Sequence, residues 1–282
     1  MEEMNRPLIV AHRGASYLAP ENTLAAVRKA WQLDADGVEI DVHLSADGRV
    51  MVMHDANTLR TCGVALDISA TDSARLRELD AGKFKGAQWQ GEPIPFLSEV
   101  VATIPDGKFL VVEIKSGPEI ISALNRISFN PRKVKFISFD LRVLAALRPL
   151  YPESDLFLLF DSEQPTKDLL TEPVEANNSP SISTSKKQTR FPDSGDGLVR
   201  QLLNIVRTAG LDGLDVNASF PVDAALVRVI HDQGKQIYFW TVDDPARAEF
   251  LAEAGADALT TNRPGWLRQR LNDSTNLKEA KE

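Results

Sequence analysis

A single cysteine, Cys62, stands in 282 residues, which excludes an internal disulfide and fits a reducing compartment. Histidine is also scarce: four residues are too few for the clustered imidazole ligands of a zinc amidohydrolase. No Lys/Arg-rich stripe with interleaved aromatics occurs, and the formal net charge is -8, so the clustered positive charge needed to hold a nucleic-acid backbone is missing. Long apolar runs are absent, and Met1-Glu2-Glu3-Met4-Asn5-Arg6-Pro7 is acidic where a signal peptide is basic. There is no amphipathic membrane-binding element either. These absences predict a cytoplasmic chain with no nucleic-acid partner and no stable membrane association.

What is present is a repeated alternation. With 43% hydrophobic residues the chain can bury a full core. Strand-like apolar runs occupy 8–11, 37–42, 109–114, 134–138, 155–160, 213–216, 236–241 and 257–261. Amphipathic helical patterns fall between them at 23–33, 142–150, 198–209, 224–233 and 246–254. Strand and helix in alternation require parallel strands with crossovers, and eight repeats predict a closed (β/α)8 TIM barrel, a single domain over 7–271. An open doubly wound sheet is the alternative. Asn22 or Thr23 can cap the first helix, Pro245 suits a first helical turn, and Gly210, Gly234 and Gly255 follow helical patterns as stop signals.

Two segments break the rhythm. Residues 57–95 carry a short helical pattern at 72–79 and read as an inserted lobe over the strand ends after the second strand. Residues 162–197, after the fifth, are rich in Ser, Thr, Pro, Asn and Asp with almost no apolar pattern, so they are expected to form a flexible loop. The polar tail 272–282 is expected to fray.

The chemistry gathers at the ends of the apolar runs. Alternation puts Glu39 and Asp41 on one strand face, pointing into the barrel mouth. With Glu113 from the next strand they form an all-oxygen cluster suited to a divalent cation, Mg2+ or Ca2+. Uncompensated, three such carboxylates would force a proton onto one of them. A structural ion network with Arg13 and Lys115 is the competing reading. Lys115 shares parity with Glu113, and Arg13 precedes Gly14, so both cations are placed to hold a phosphate oxygen. His12 and His54 end two runs beside the cluster and can divide a reaction into proton acceptance and donation. His43 lies beyond Asp41, bordering the site or facing solvent, and His231 sits in a helical pattern as a structural residue. Trp240 and Phe139 close their runs, with ligand contact and core packing both open to them.

In order along the chain, His12-Arg13-Gly14, Pro20-Glu21-Asn22-Thr23, Glu39-Ile40-Asp41-Val42, Asp47-Gly48, His54-Asp55, Glu113-Ile114-Lys115, Ile137-Ser138-Phe139-Asp140 and Trp240-Thr241-Val242 closely resemble the bacterial glycerophosphodiester phosphodiesterases. The resemblance runs from about residue 8 to about residue 266. It implies a barrel of the phosphatidylinositol-specific phospholipase C-like type and hydrolysis of a small glycerophosphodiester to sn-glycerol 3-phosphate and an alcohol. Carried over, His12 and His54 are the general acid/base pair, and Glu39, Asp41 and Glu113 the metal ligands. Arg13 and Lys115 bind phosphate, and Trp240 borders the glycerol. The polar segment 162–197 departs from the family pattern in length. A phospholipase D or lyase acting on intact lipids, or a non-catalytic barrel that binds phosphate esters, would share the frame. The first should show an exposed apolar rim, and the second should lack one of these groups.

Overall fold

The computed structural model describes residues 6–163 and 195–279. Its strands are β1 (Leu8–His12), β2 (Gly37–Leu44), β3 (Val50–Val52), β4 (Phe109–Ile114), β5 (Val134–Ser138), β6 (Leu156–Phe160), β7 (Gly213–Asn217), β8 (Gln236–Trp240) and β9 (Ala258–Thr261). The helices are α1 (Leu24–Gln32), α2 (Leu59–Cys62), α3 (Ser73–Leu76), α4 (Leu97–Val101), α5 (Ile121–Leu124), α6 (Leu141–Leu147), α7 (Gly195–Thr208), α8 (Ala224–His231), α9 (Pro245–Ala254) and α10 (Pro264–Glu279). Sheet order β1-β9-β8-β7-β6-β5-β4-β2, closed by a parallel β1–β2 pairing, makes the eight-stranded parallel barrel. The open-sheet alternative fails on that last pairing.

Side-chain alternation decides what each strand residue does. Val10, Val111, Ile137, Phe157, Leu159, Tyr238 and Ala258 pack as one cluster inside the barrel. Their sequence neighbours, such as Ile9, Val112, Phe136, Leu158, Phe239 and Leu259, belong to the larger core between strands and helices. At the lower end of the barrel, Lys135 pairs with Asp155 and lies 5.1 Å above the Phe109 ring, while Phe157 and Tyr238 stack with centroids 4.4 Å apart. This floor leaves the opposite mouth as the place where inward polar residues meet solvent.

The helix ends follow the sequence closely. Thr23 accepts the Ala26 N–H as N-cap of α1, and Asp244 caps α9 with Pro245 in its first turn. Asn22, the other cap expected for α1, turns to the barrel instead, as described below.

The run ending at His54 differs from its neighbours. Val50–Val52 pairs antiparallel with β2, so β3 is a hairpin arm outside the barrel ring, and it brings His54 back to the mouth. The insert then packs Ile68, Leu76, Leu79, Ala81 and Ile94 against Met51 and Met53 of this arm as a small separate core. Of the tail 272–282, positions 272–279 continue α10 and 280–282 lie outside the described residues. Of the polar segment 162–197, positions 164–194 lie outside the described residues.

Candidate active site

Glu39 and Asp41 face inward from β2, and Glu113 faces inward from β4 in register with Asp41. One oxygen from each of the three lies within 4.8 Å of the others. Glu39 and Asp41 are buried, at 3% and 1% exposure. Burial, with the nearby charges of Asp41 and Glu113, pushes the Glu39 carboxyl well above the ordinary range. Burial and Asp41 push Glu113 up to about 7. Burial works against the charge of Asp41 as well, but Lys115 and Arg13 outweigh it and hold that carboxyl at about 2.

The two cations are fixed by these same acids. Lys115 Nζ lies 2.6 Å from Glu113 Oε1 and 3.2 Å from Asp41 Oδ1. Both oxygens are thereby ion-paired with the Lys115 ammonium, whereas Glu39 Oε1 has no hydrogen-bond partner among the described residues. Arg13 adopts a left-handed φ of 57° and donates its backbone N–H to Glu39 Oε2 at 2.9 Å, while its Nε lies 3.3 Å from Asp41 Oδ2. The next residue, Gly14, has φ 79°, and a Cβ there would fall 2.5 Å from the Ala26 backbone.

Each histidine presents a defined ring edge. His12 Nδ1 lies 2.9 Å from Asn262 Oδ1, and Asn262 donates through Nδ2 to Asp243, so its Oδ1 must accept and His12 Nδ1 must carry the proton. Burial and the neighbouring Arg13 push the His12 ring down to about 4. It is therefore neutral at neutral pH, and Nε2 is the ring nitrogen that can accept. His54 Nδ1 lies 2.7 Å from Asp55 Oδ1, which as a carboxylate accepts. Asp55 Oδ2 in turn accepts from Arg60 of α2, and Arg60 reaches on to Glu21, which accepts from Arg13. Burial opposes the charges of Glu21 and Asp55, yet the Arg60 hydrogen bonds hold both carboxyls below their ordinary range.

The eight residues expected at the site lie on β1, β2, β4 and β8 or in the turns that follow β1, β3 and β4. Trp240 packs edge-on against Phe139, ring centroids 6.1 Å apart, and its Nε1–H donates to the Asp215 carbonyl at 3.3 Å. His43 is half-buried, and its Nε2 donates to the His54 carbonyl at 3.1 Å and supports that turn. His231 Nε2 lies 2.9 Å from Asp257 Oδ2, just before β9 and so at the end of the barrel opposite the mouth.

Sequence reading missed three participants. Asn22 and Asn262 are short polar residues beside better motifs, and only the fold shows them holding Asp41 and His12. Asp215 points inward from β7 at 2% exposure, its Oδ1 without a hydrogen-bond partner among the described residues, and burial together with Glu113 raises its carboxyl well above the ordinary range. Parity in the run 213–216 was its only signal.

A closed parallel barrel whose mouth joins an acidic cluster, two cations and two oriented imidazoles defines a phosphate-ester enzyme of the barrel class. The chain belongs to the glycerophosphoryl diester phosphodiesterase family, whose pattern matches residues 12–266. It is 29% identical over 272 residues to the glycerophosphodiester phosphodiesterase of Caldanaerobacter subterraneus, covering 93% of this chain and 96% of that one. Among solved structures, an Oleispira antarctica phosphodiesterase in complex with the product sn-glycerol-3-phosphate superposes with a TM-score of 0.76 at 27% identity, covering 95% of this chain and 97% of that one. The Thermotoga maritima glycerophosphodiester phosphodiesterase gives 0.69 at 26%, covering 93% and 97%. The protein is thus a glycerophosphodiester-cleaving enzyme. Among the described residues, no helix is long and apolar enough to cross a membrane.

Proposed function

We propose that the enzyme hydrolyses a small glycerophosphodiester to sn-glycerol 3-phosphate and an alcohol, with a divalent cation and a two-histidine acid/base mechanism. The observation that supports this reading is the convergence of Glu39, Asp41 and Glu113, one carboxylate oxygen from each within 4.8 Å of the others, with Glu39 in register with His12. Such a donor set fits a hard cation, Mg2+ or Ca2+, held by Glu39, Asp41 and Glu113. When bound, the cation supplies positive charge that offsets the negative charge developing on the phosphate oxygens.

The chain's own residues divide the remaining work. His12 is neutral with its proton on Nδ1, so Nε2 is the acceptor, which suits it to take the proton of the attacking oxygen. His54 has a countercharge in Asp55 for its protonated form, which suits it to protonate the departing alkoxide. Arg13 and Lys115 line the site of the phosphate, and Trp240 borders the glycerol carbons. The product seen in the Oleispira antarctica relative supports this choice of substrate.

The decisive experiment incubates purified protein with glycerophosphocholine, with chelator or with added Mg2+ or Ca2+, and measures glycerol 3-phosphate. Release that depends on the cation is expected; release unchanged after exhaustive chelation overturns the metal-dependent mechanism.

One observation favours a second reading, action on intact lipid. Tyr17 and Leu18 in the β1–α1 connection, and Leu59, Val64 and Phe84 in the insert, are exposed apolar side chains, from 42% to 55%. Lysophosphatidylcholine run beside glycerophosphocholine separates the two: faster turnover of the lipid would favour the second reading.

A further inference from the structure

Arg60 belongs to the inserted lobe, outside the barrel and outside the set of residues assigned to the chemistry. Its guanidinium nevertheless spans two carboxylates. Nε donates to Asp55 Oδ2 at 2.7 Å, while NH1 and NH2 donate to Glu21 Oε2 and Oε1 at 2.7 and 2.8 Å. Each carboxylate has a second partner at the mouth. Asp55 Oδ1 accepts from His54 Nδ1 at 2.7 Å, and Glu21 Oε1 accepts from Arg13 NH1 at 2.9 Å. One fork from the insert therefore stands behind both a proposed proton donor and a proposed phosphate ligand.

We propose that Arg60 is a positioning residue, which fixes the Nδ1–H tautomer of His54 through Asp55 and the guanidinium of Arg13 through Glu21. The proposal rests on the two-histidine reading above. Its physical basis is geometric. A planar fork can satisfy a bidentate carboxylate with two nitrogens and still offer Nε to another acid, which a lysine ammonium cannot reproduce in one plane. Without Arg60, Asp55 can swing toward solvent, and the imidazole is then free to move its proton to Nε2.

The insert has other attachments, so Arg60 is not needed merely to hold it down. Lys85 Nζ donates to the Ser16 carbonyl at 2.7 Å, the Ala46 N–H donates to the Thr71 carbonyl at 3.1 Å, and the lobe keeps its own apolar core. A change at Arg60 should leave the melting midpoint near that of the parent while altering the site.

The test compares Arg60→Gln, Asp55→Asn and Glu21→Gln with the parent enzyme. Long-range 1H–15N spectra, taken where His54 is neutral, report its tautomer. In the parent, His54 carries its proton on Nδ1; in R60Q the signal moves toward the Nε2–H form. On glycerophosphocholine, D55N lowers kcat, E21Q raises KM, and R60Q does both, each by about tenfold or more, the scale at which partners behind a functional ligand act. Adding R60Q to D55N lowers kcat little further, because the two changes break one chain. Arg60→Lys restores only part of the loss. An R60Q spectrum identical to the parent overturns the proposal whatever the activity, as does a shifted tautomer with kcat unchanged. If the parent itself leaves glycerophosphocholine intact, the functional reading fails, and the His54 spectrum alone decides the role of Arg60.

Discussion

Asn22 and Asp41 hold each other through two reciprocal hydrogen bonds, Asn22 Nδ2–H to Asp41 Oδ2 at 2.8 Å and the Asp41 backbone N–H to Asn22 Oδ1 at 3.1 Å. Asn22 reaches this position only because its backbone is left-handed, φ 57°, a conformation that asparagine tolerates better than most residues. A buried carboxylate proposed to ligate metal is thereby aimed by a residue from the neighbouring connection.

Replacing Asn22 with Ala should weaken divalent-cation binding about 10–100-fold, the usual cost of losing a group that orients a ligand. It also leaves the buried Asp41 N–H unsatisfied, a loss of about 1–3 kcal/mol in stability. Calorimetric metal titration and urea denaturation check the two numbers separately. Metal affinity equal to that of the parent would mean that Asp41 is held without Asn22.

Metal binding should release protons. Glu39 and Glu113 have raised values in the metal-free fold, Glu113 at about 7, so both hold protons where a free glutamate is already ionised. A cation competes with those protons. Affinity should therefore rise with pH up to about 7 and fall below it. Titrations at pH 6 in two buffers of different ionisation enthalpy measure the release; a count of zero would rule out the competition.

His12→Ala and His54→Ala should each lose about 10²–10⁴-fold in kcat while still folding and binding metal. The loss in the double variant should be less than additive. A nitrophenyl ester, whose leaving group needs little protonation, should restore His54→Ala and leave His12→Ala slow. Rescue of His12→Ala instead would exchange the two roles.

Asp215 should cost stability at neutral pH. Its carboxyl value is raised in the folded state, so between the unfolded and folded values the folded chain binds the extra proton, and stability falls as pH rises through that window. Asp215→Asn should remove this slope and make the folded chain more stable at pH 7. Urea denaturation of both proteins with chelator, from pH 4 to 8, gives the comparison. A less stable variant at pH 7 would show that the ionised carboxylate has a partner when folded.

Gly14→Ala should be strongly destabilising, because both φ 79° and the 2.5 Å approach to the Ala26 backbone forbid a Cβ. A loss of about 2 kcal/mol or more is expected from strain and overpacking together. A melting midpoint equal to that of the parent would refute it.

The amino-acid sequence alone determined the barrel and its inward acids, because both follow from periodicity. Strands buried on both faces read as apolar runs, parity every second residue puts Glu39, Asp41, Glu113 and Lys115 on the inner face, and proline, Asp244 and glycine mark the helix ends. Such signals are local, so a linear reading captures them. Tertiary structure alone decided the rest. Antiparallel pairing of β3 returns His54 to the mouth, closure of β9 against β1 brings Asn262 to His12 across 250 positions, and the insert places Arg60 against Glu21 across 39. Polar partners of this kind have no period and no fixed spacing. Their pairing depends on where strand register and packing bring distant segments together, and that is settled only when the barrel closes.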